Sequence, residues 1–291
     1  ARGLSRMKSA PFVYHVPKTL DEALKTLAEV APKDGRVLAG GQSLVPIMAF
    51  RLAKPAHLVD INGIAGLDKL ASNGKILSVG ACVRHAAFHK PVTGNPLGQL
   101  LTIVARHIAH YPIRMRGTFC GSLAHADPAS EWCLVAATLD ATLVASSIRG
   151  NREIPAKDFF SGIMSTTLAE DELLAETRLP LLSNDAKFGF NEFSRRAGDF
   201  AMAASLATYR LQGGKICEAR VGVGGAESFP RRIPEAEAVL NGSGSTDAAF
   251  RAAADAAAKA IDPLEDHQTN ADYRRDLVRA VVRRALEQSV S

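Results

Sequence analysis

Val37-Leu38-Ala39-Gly40-Gly41-Gln42-Ser43-Leu44 decides how the rest of the chain reads. Two apolar residues lead into a glycine pair, then two polar side chains, then a second apolar run as far as Ala49. This order predicts a buried strand that ends at a turn only glycine enters, the chain leaving through Leu44 to Ala49. Glycine has no Cβ, so a phosphate can sit against the backbone N–H groups, with the Ser43 hydroxyl as a further donor. An ordinary strand-to-helix turn carries the same pattern. Separating the two readings requires a second site.

A longer stretch supplies a candidate: Ile113-Arg114-Met115-Arg116-Gly117-Thr118-Phe119-Cys120-Gly121-Ser122-Leu123-Ala124-His125-Ala126-Asp127-Pro128-Ala129-Ser130-Glu131. Gly117, Thr118, Gly121 and Ser122 are small enough for close backbone approach to another anionic group. Asp127-Pro128 predicts a turn, with a helix from Pro128 that carries Glu131 in its first turn.

Between and around these stretches the pattern is mixed. Residues 1–6 precede Met7 and are set aside from the fold reading. Phe12 to His15 alternate as a short strand. Thr19-Leu20-Asp21-Glu22 opens a helix with a capping box, and Leu20, Leu24, Leu27, Ala28 and Ala31 continue it to Pro32. Short helix 47–52 and strand 57–61 follow. Ser72-Asn73-Gly74 marks a hairpin within 67–79, and helices are expected at 84–90 and 97–108. Strands at 141–145 and 173–179 close a second layer before Pro180. Beyond it, 198–211 and 216–224 read as paired strands around Gly213-Gly214, followed by helices at 235–240, 246–260 and 272–288. The last buries Val278, Val281, Val282 and Ala285, with Arg275, Arg279 and Arg283 on the opposite side as a solvated face or a docking surface.

With 291 residues, 47% hydrophobic and 22% charged, the chain has room for two domains with real cores. A net charge of +5, scattered except near the C-terminus, does not make a nucleic-acid binder. No run is long enough for a transmembrane helix, and the N-terminus lacks the apolar core of a signal peptide. Cys82, Cys120, Cys133 and Cys217 form no C-x-x-C pair, which disfavours an internal cluster or zinc site; a reducing, cytoplasmic setting is expected.

Four stretches together carry a resemblance: LAGGQSLVPIMAFRLAKPAHLVDIN (38–62), IRMRGTFCGSLAHADPASEW (113–132), EDELLAETRLP (170–180) and FNEFSRRAGDFA (190–201). In order and spacing they resemble the FAD-binding medium subunit of the xanthine dehydrogenase / carbon monoxide dehydrogenase family, the molybdenum hydroxylases. The resemblance spans nearly the whole chain. It implies an α+β fold: a two-part vanillyl-alcohol-oxidase-type (PCMH-type) FAD-binding domain over 7–62 and 63–181, then a smaller α+β domain over 186–291. It also assigns the first loop to the FAD pyrophosphate, through Ala39, Gly40, Gly41, Gln42, Ser43 and Leu44. The second loop contributes Thr118, Cys120, Gly121 and Ser122, Cys120 standing where many relatives have glycine. Glu131, where several members have aspartate, is implied to meet a ribose or ring group. Ile108 and Leu174 fall where apolar residues pack on the cofactor. Asn191 takes the place of a lysine of xanthine dehydrogenases, and Phe200 that of a frequent tyrosine near the flavin ring, which it can stack on but not hydrogen-bond.

Other candidates have plainer readings. His125 and Asp127 fit an acid–base pair, or a loop histidine and a turn-forming Asp-Pro. His107 and His110 have a spacing a metal accepts but no third ligand nearby. Arg195 and Arg196 read as a solvated or ion-paired couple.

The resemblance implies an electron-transfer flavoprotein subunit with no catalytic side chain of its own. A molybdenum-pterin cofactor on a large partner oxidises substrate, and two [2Fe–2S] clusters on a small partner pass electrons to FAD. An external acceptor takes them up, and the assembly is expected to be a dimer of heterotrimers. The alternatives are a free-standing flavin oxidase with its own substrate site, or a scaffold module without cofactor. A Rossmann dehydrogenase is disfavoured, because G-x-G-x-x-G followed by an acidic residue is absent.

Overall fold

The computed structural model describes residues 8–267 and 269–290. Its first layer runs β1 (Val13–His15), α1 (Leu20–Val30), β2 (Gly35–Leu38), α2 (Leu44–Ala49) and β3 (His57–Asp60). The strands pair in parallel in the order β1-β3-β2, so α1 must cross over β3. Its start is set locally. Thr19 Oγ1 accepts from the Glu22 N–H, and the Glu22 carboxylate accepts from the Lys18 N–H, one residue earlier than a standard capping box. Ala23, Leu24, Leu27 and Val30 share the buried face.

The second layer contains β4 (Leu70–Ser72), β5 (Ile76–Gly80), α3 (Pro96–His107), α4 (Tyr111–Arg114), α5 (Phe119–His125) and α6 (Glu131–Thr138). It continues with β6 (Thr142–Ser147), β7 (Gly150–Pro155), β8 (Phe160–Gly162), β9 (Ser165–Thr166) and β10 (Leu173–Pro180). Five strands form an antiparallel sheet in the order β4-β5-β10-β6-β7. At the β4–β5 turn the Asn73 side chain accepts from the Lys75 and Ile76 N–H groups. The core over this sheet is centred on Trp132, whose ring lies 4.8 Å from Phe119 and 5.0 Å from Phe88. All three are fully buried.

The third layer is β11 (Lys187–Phe193), β12 (Ala203–Gln212), β13 (Lys215–Gly224), β14 (Arg231–Arg232), α7 (Pro234–Leu240), α8 (Asp247–Ala260) and α9 (Ala271–Gln288). Its four strands are antiparallel in sequence order. Two glycines let helices lie on opposite faces of this sheet. A Cβ at Gly189 would meet the Ala285 carbonyl of α9 at 1.9 Å, and one at Gly222 would meet Thr138 Oγ1 of α6 at 1.8 Å. On α9, Val278, Val281, Val282 and Ala285 are buried, and Arg275, Arg279 and Arg283 pair with Asp272, with Asp255 and Asp276, and with Glu287. No described helix is long and apolar enough to cross a membrane.

Several element readings need correction. Residues 84–90 hold only a 3-10 turn over His85–His89, because Arg84 is extended and bridges to Thr118. α2 starts at Leu44 rather than at 47, since Pro46 falls in the first turn, where its missing N–H is harmless. The helix expected from Pro128 starts at Glu131: Asp127 Oδ1 takes the Ala129 N–H in a turn, and Ser130 caps the Cys133 N–H. Phe119–His125, read as loop, is α5. β12 starts at Ala203 rather than 198, and β7, β8, β9 and β11 were not anticipated.

Candidate functional site

Where the first and second layers meet, the two glycine-bearing stretches touch. A Cβ at Gly40 would lie 2.4 Å from the Arg116 carbonyl and 2.7 Å from Gly117 Cα, so only glycine permits this approach. Gly41 has φ +71°, in the left-handed region. The N–H groups of Gly40, Gly41, Gln42 and Ser43 donate to no group among the described residues. Half-buried at Gly40 and Gly41 and exposed at Gln42 and Ser43, these donors are open to a ligand, and successive free N–H groups of this kind suit an anion.

The second stretch is pinned from behind. The His85 N–H donates to the Gly117 carbonyl at 3.0 Å, and the Phe119 N–H to the Val83 carbonyl at 2.9 Å. Thr118 Oγ1 caps α5 by accepting from the Gly121 N–H at 3.1 Å, and a Cβ at Gly121 would lie 2.5 Å from that oxygen. Between the two stretches is a cleft of about 380 Å³, within the range of small-molecule sites. Residues 39–44 line one wall and Thr118, Gly121 and Ser122 the other, with His85 between and the segment around Leu168 beyond. Glu172, on that far side, is neutralised by Arg152 at 2.7 Å. Free N–H donors and hydroxyls at the glycine end suit a pyrophosphate.

A side-chain bridge outside the cleft ties its two walls. Asp60 accepts the Tyr14 hydroxyl proton on one oxygen and the Asn62 backbone and side-chain N–H on the other. The Asn62 amide also donates to the Ala39 carbonyl at 2.7 Å and accepts from Arg84 Nη2 at 2.7 Å. Arg84 Nη1 donates to the Arg116 carbonyl. One amide and one guanidinium thus span from the first loop to the second.

Six residues named from the resemblance lie off the cleft lining. Ile108, just past α3, and Leu174, on β10, are buried in the core around Trp132. The Cys120 side chain is turned away: Sγ is 3.4 Å from the Val79 carbonyl and 3.3 Å from Thr177 Oγ1, and burial pushes the thiol up to about 12. Glu131 opens α6; burial, with some help from the charge of Asp127, raises its carboxyl to about 7. Asn191 lies opposite Ser205, and both Asn191 Oδ1 and Ser205 Oγ are buried without a partner. Phe200 is 76% exposed between β11 and β12.

The plainer alternatives resolve locally. Asp127 is held in its turn, while His125 ends α5 on the cleft wall. His107 lies edge-on to Phe190, with Nδ1 3.9 Å from Glu192 Oε2. No group of three or more His, Cys, Asp or Glu among the described residues is arranged to hold a metal. Sequence reasoning missed His85, Asn62, Arg84, Trp132 and Glu192. Asn62, Trp132 and Glu192 lie within the stretches that carry the resemblance but drew no role there, and Arg84-His85 comes four residues after β5 with no motif of its own.

Residues 8–182 match the family described as the FAD binding domain in molybdopterin dehydrogenase, and residues 188–289 match the CO dehydrogenase flavoprotein C-terminal domain. The chain is 37% identical over 281 residues to the nicotine 6-hydroxylase medium subunit of Paenarthrobacter nicotinovorans, covering 96% of this chain and 98% of that one. It is 39% identical over 289 residues to the 6-hydroxypseudooxynicotine dehydrogenase complex subunit alpha of the same organism, covering 98% and 96%. In structure it is similar to a chain of carbon monoxide dehydrogenase from Hydrogenophaga pseudoflava, with a TM-score of 0.93, 34% identity, and 98% and 99% of the two chains covered. The mixed α+β architecture, the paired glycine loops and these matches agree: the chain belongs to the FAD-binding medium subunits of the molybdopterin dehydrogenase family, the oxidoreductase family of CO dehydrogenase, nicotine hydroxylase and xanthine dehydrogenase.

Proposed function

We propose that the cleft holds FAD and that the chain is the electron-transfer flavoprotein subunit of a molybdenum hydroxylase complex. The observation that carries this reading is the contact between two glycine-bearing loops, far apart in sequence, around one cleft with unpaired N–H donors. Ala39, Gly40, Gly41, Gln42, Ser43 and Leu44 would embrace the pyrophosphate from one side, and Thr118, Gly121 and Ser122 from the other. Cys120 would contribute through its backbone alone. Phe200, exposed, would stack on a ring, while Ile108, Leu174, Glu131 and Asn191 would shape the ring end from the core side.

Bound there, FAD supplies the redox chemistry; this chain's residues orient it and exclude water. Electrons would come from two [2Fe–2S] clusters on a small partner, having left the substrate at a molybdenum-pterin centre on a large one, and depart to an external acceptor. The medium-subunit and complex-subunit names of the relatives support a heteromeric assembly. A dimer of heterotrimers in the cytoplasm is the arrangement we infer.

Native purification tests this. The reading expects the chain to elute with a larger and a smaller polypeptide, with flavin and iron–sulfur absorbance in one peak. A chain that purifies alone with flavin and oxidises a substrate unaided would overturn it.

A further inference from the structure

We propose that His85 is a direct ligand of the bound dinucleotide, donating from Nε2 to an oxygen of its pyrophosphate or adjoining ribityl chain, and that Trp132 prepares it by fixing which ring nitrogen carries the proton. This rests on the reading that the cleft holds FAD.

His85 is 4% exposed, yet its ring lines the cleft between the two loops. The indole N–H of Trp132, which can only donate, lies 2.9 Å from His85 Nδ1. Nδ1 is therefore the acceptor, and the single proton of the neutral imidazole sits on Nε2. Protonating Nδ1 as well would set two N–H groups against each other. Burial, together with the Arg114 and Arg84 charges, holds the imidazole down to about 4, so it stays neutral. Trp132 is itself locked among Phe88 and Phe119 in the core.

Gly117 explains how the ring edge reaches the cleft. A Cβ there would lie 2.5 Å from His85 Nε2 and 2.7 Å from Cδ2. The second loop's first glycine thus makes room for a histidine, rather than for a phosphate. Nε2 makes no hydrogen bond among the described residues and opens on the cleft, where a bound ligand's oxygen could accept from it. The other charged or titratable groups around the ring and cleft are Arg84, Arg114, Arg36, His125, Glu170 and Glu172. The inferred contact is thus a fixed, uncharged donor aimed where the dinucleotide oxygens would lie.

The test combines FAD titration of the full chain, melting of the chain without FAD, and nitrogen-15 NMR of its histidines. In the wild type without FAD, His85 should show a bare Nδ1 and a protonated Nε2, and added FAD should shift the Nε2 proton. His85→Phe keeps a ring beneath Trp132 but no donor, and should weaken FAD binding about tenfold or more. His85→Gln, which places an amide donor near the Nε2 position, should recover most of that loss. Trp132→Phe removes the donor to Nδ1, so the His85 nitrogen-15 signals should show the proton shared between Nδ1 and Nε2, and FAD affinity should fall with the loss of the fixed tautomer. His85→Phe binding FAD as tightly as wild type, or a protonated Nδ1, would overturn the proposal. Were His85→Phe not to fold, the wild-type spectra with and without FAD decide alone. Failure of the cleft reading looks different: FAD would bind the wild type without moving any His85 signal, and Ser43→Glu would leave its affinity unchanged.

Discussion

Glu131 and Glu192 show how much a single buried side chain reveals. Burial, with the charge of Asp127, raises Glu131 on α6 to about 7, and burial plus the charge of Glu131 raises Glu192 on β11 to about 8. Glu192 Oε2 has no hydrogen-bond partner. In the unfolded chain both would titrate near the ordinary glutamate value of about 4.3, so the unfolded state releases its protons first as pH rises. Stability is therefore full below that value and is lost as pH rises through 7 and 8. Glu192→Gln should raise the melting temperature of the cofactor-free chain by a few °C at about pH 8 and leave it nearly unchanged at about pH 4. A lower melting temperature at the higher pH would contradict the account. Thiols give a second check. Cys82, Cys120 and Cys133 are buried and pushed up to about 11, 12 and 12, whereas Cys217 is half-buried. An alkylating reagent should label Cys217 first in the native protein, read by peptide mass; early labelling of Cys120 would contradict its placement.

At the scale of elements, the bridge from Asn62 through Arg84 behaves as a spacer between loops. Neither residue lines the cleft, yet together they join the Ala39 carbonyl to the Arg116 carbonyl. Arg84→Ala should weaken FAD binding several-fold to about tenfold, measured by flavin fluorescence, without lowering the melting temperature comparably. Equal loss of both would make it a merely structural bridge. Gly189→Ala places a methyl 1.9 Å from the Ala285 carbonyl and should unseat α9, costing about 1–3 kcal/mol in a urea titration. The periodicity of α9 and the capping box of α1 were legible because they are local patterns. α5 was not, because its first turn is Phe119-Cys120-Gly121-Ser122, and small residues that form a loop in isolation form a helix once Thr118 caps them. The 3-10 turn at His85 depended on a long-range bridge to Thr118, which no window around residue 84 contains.

Across the whole molecule, the sheet of the third layer is clasped between α9 and α6, so the C-terminal part is fastened to the layer that forms one wall of the cleft. Both glycine stretches were legible as turns for small residues, but their contact was not, since it depends on Gly40 meeting Arg116 across the fold. The proposed ring end was least legible: Ile108, Leu174, Glu131 and Asn191 came from resemblance alone, and no spacing rule places them together. The central claim is that two loops grip one dinucleotide, and flavin retention by loop variants tests it most directly. Ser43→Glu and Ser122→Glu each put a carboxylate on one wall, facing the same phosphates. Reconstituted with FAD and desalted, wild type should keep flavin absorbance and both variants, still folded by circular dichroism, should lose it. Retention of flavin by either variant at the wild-type level would contradict the claim.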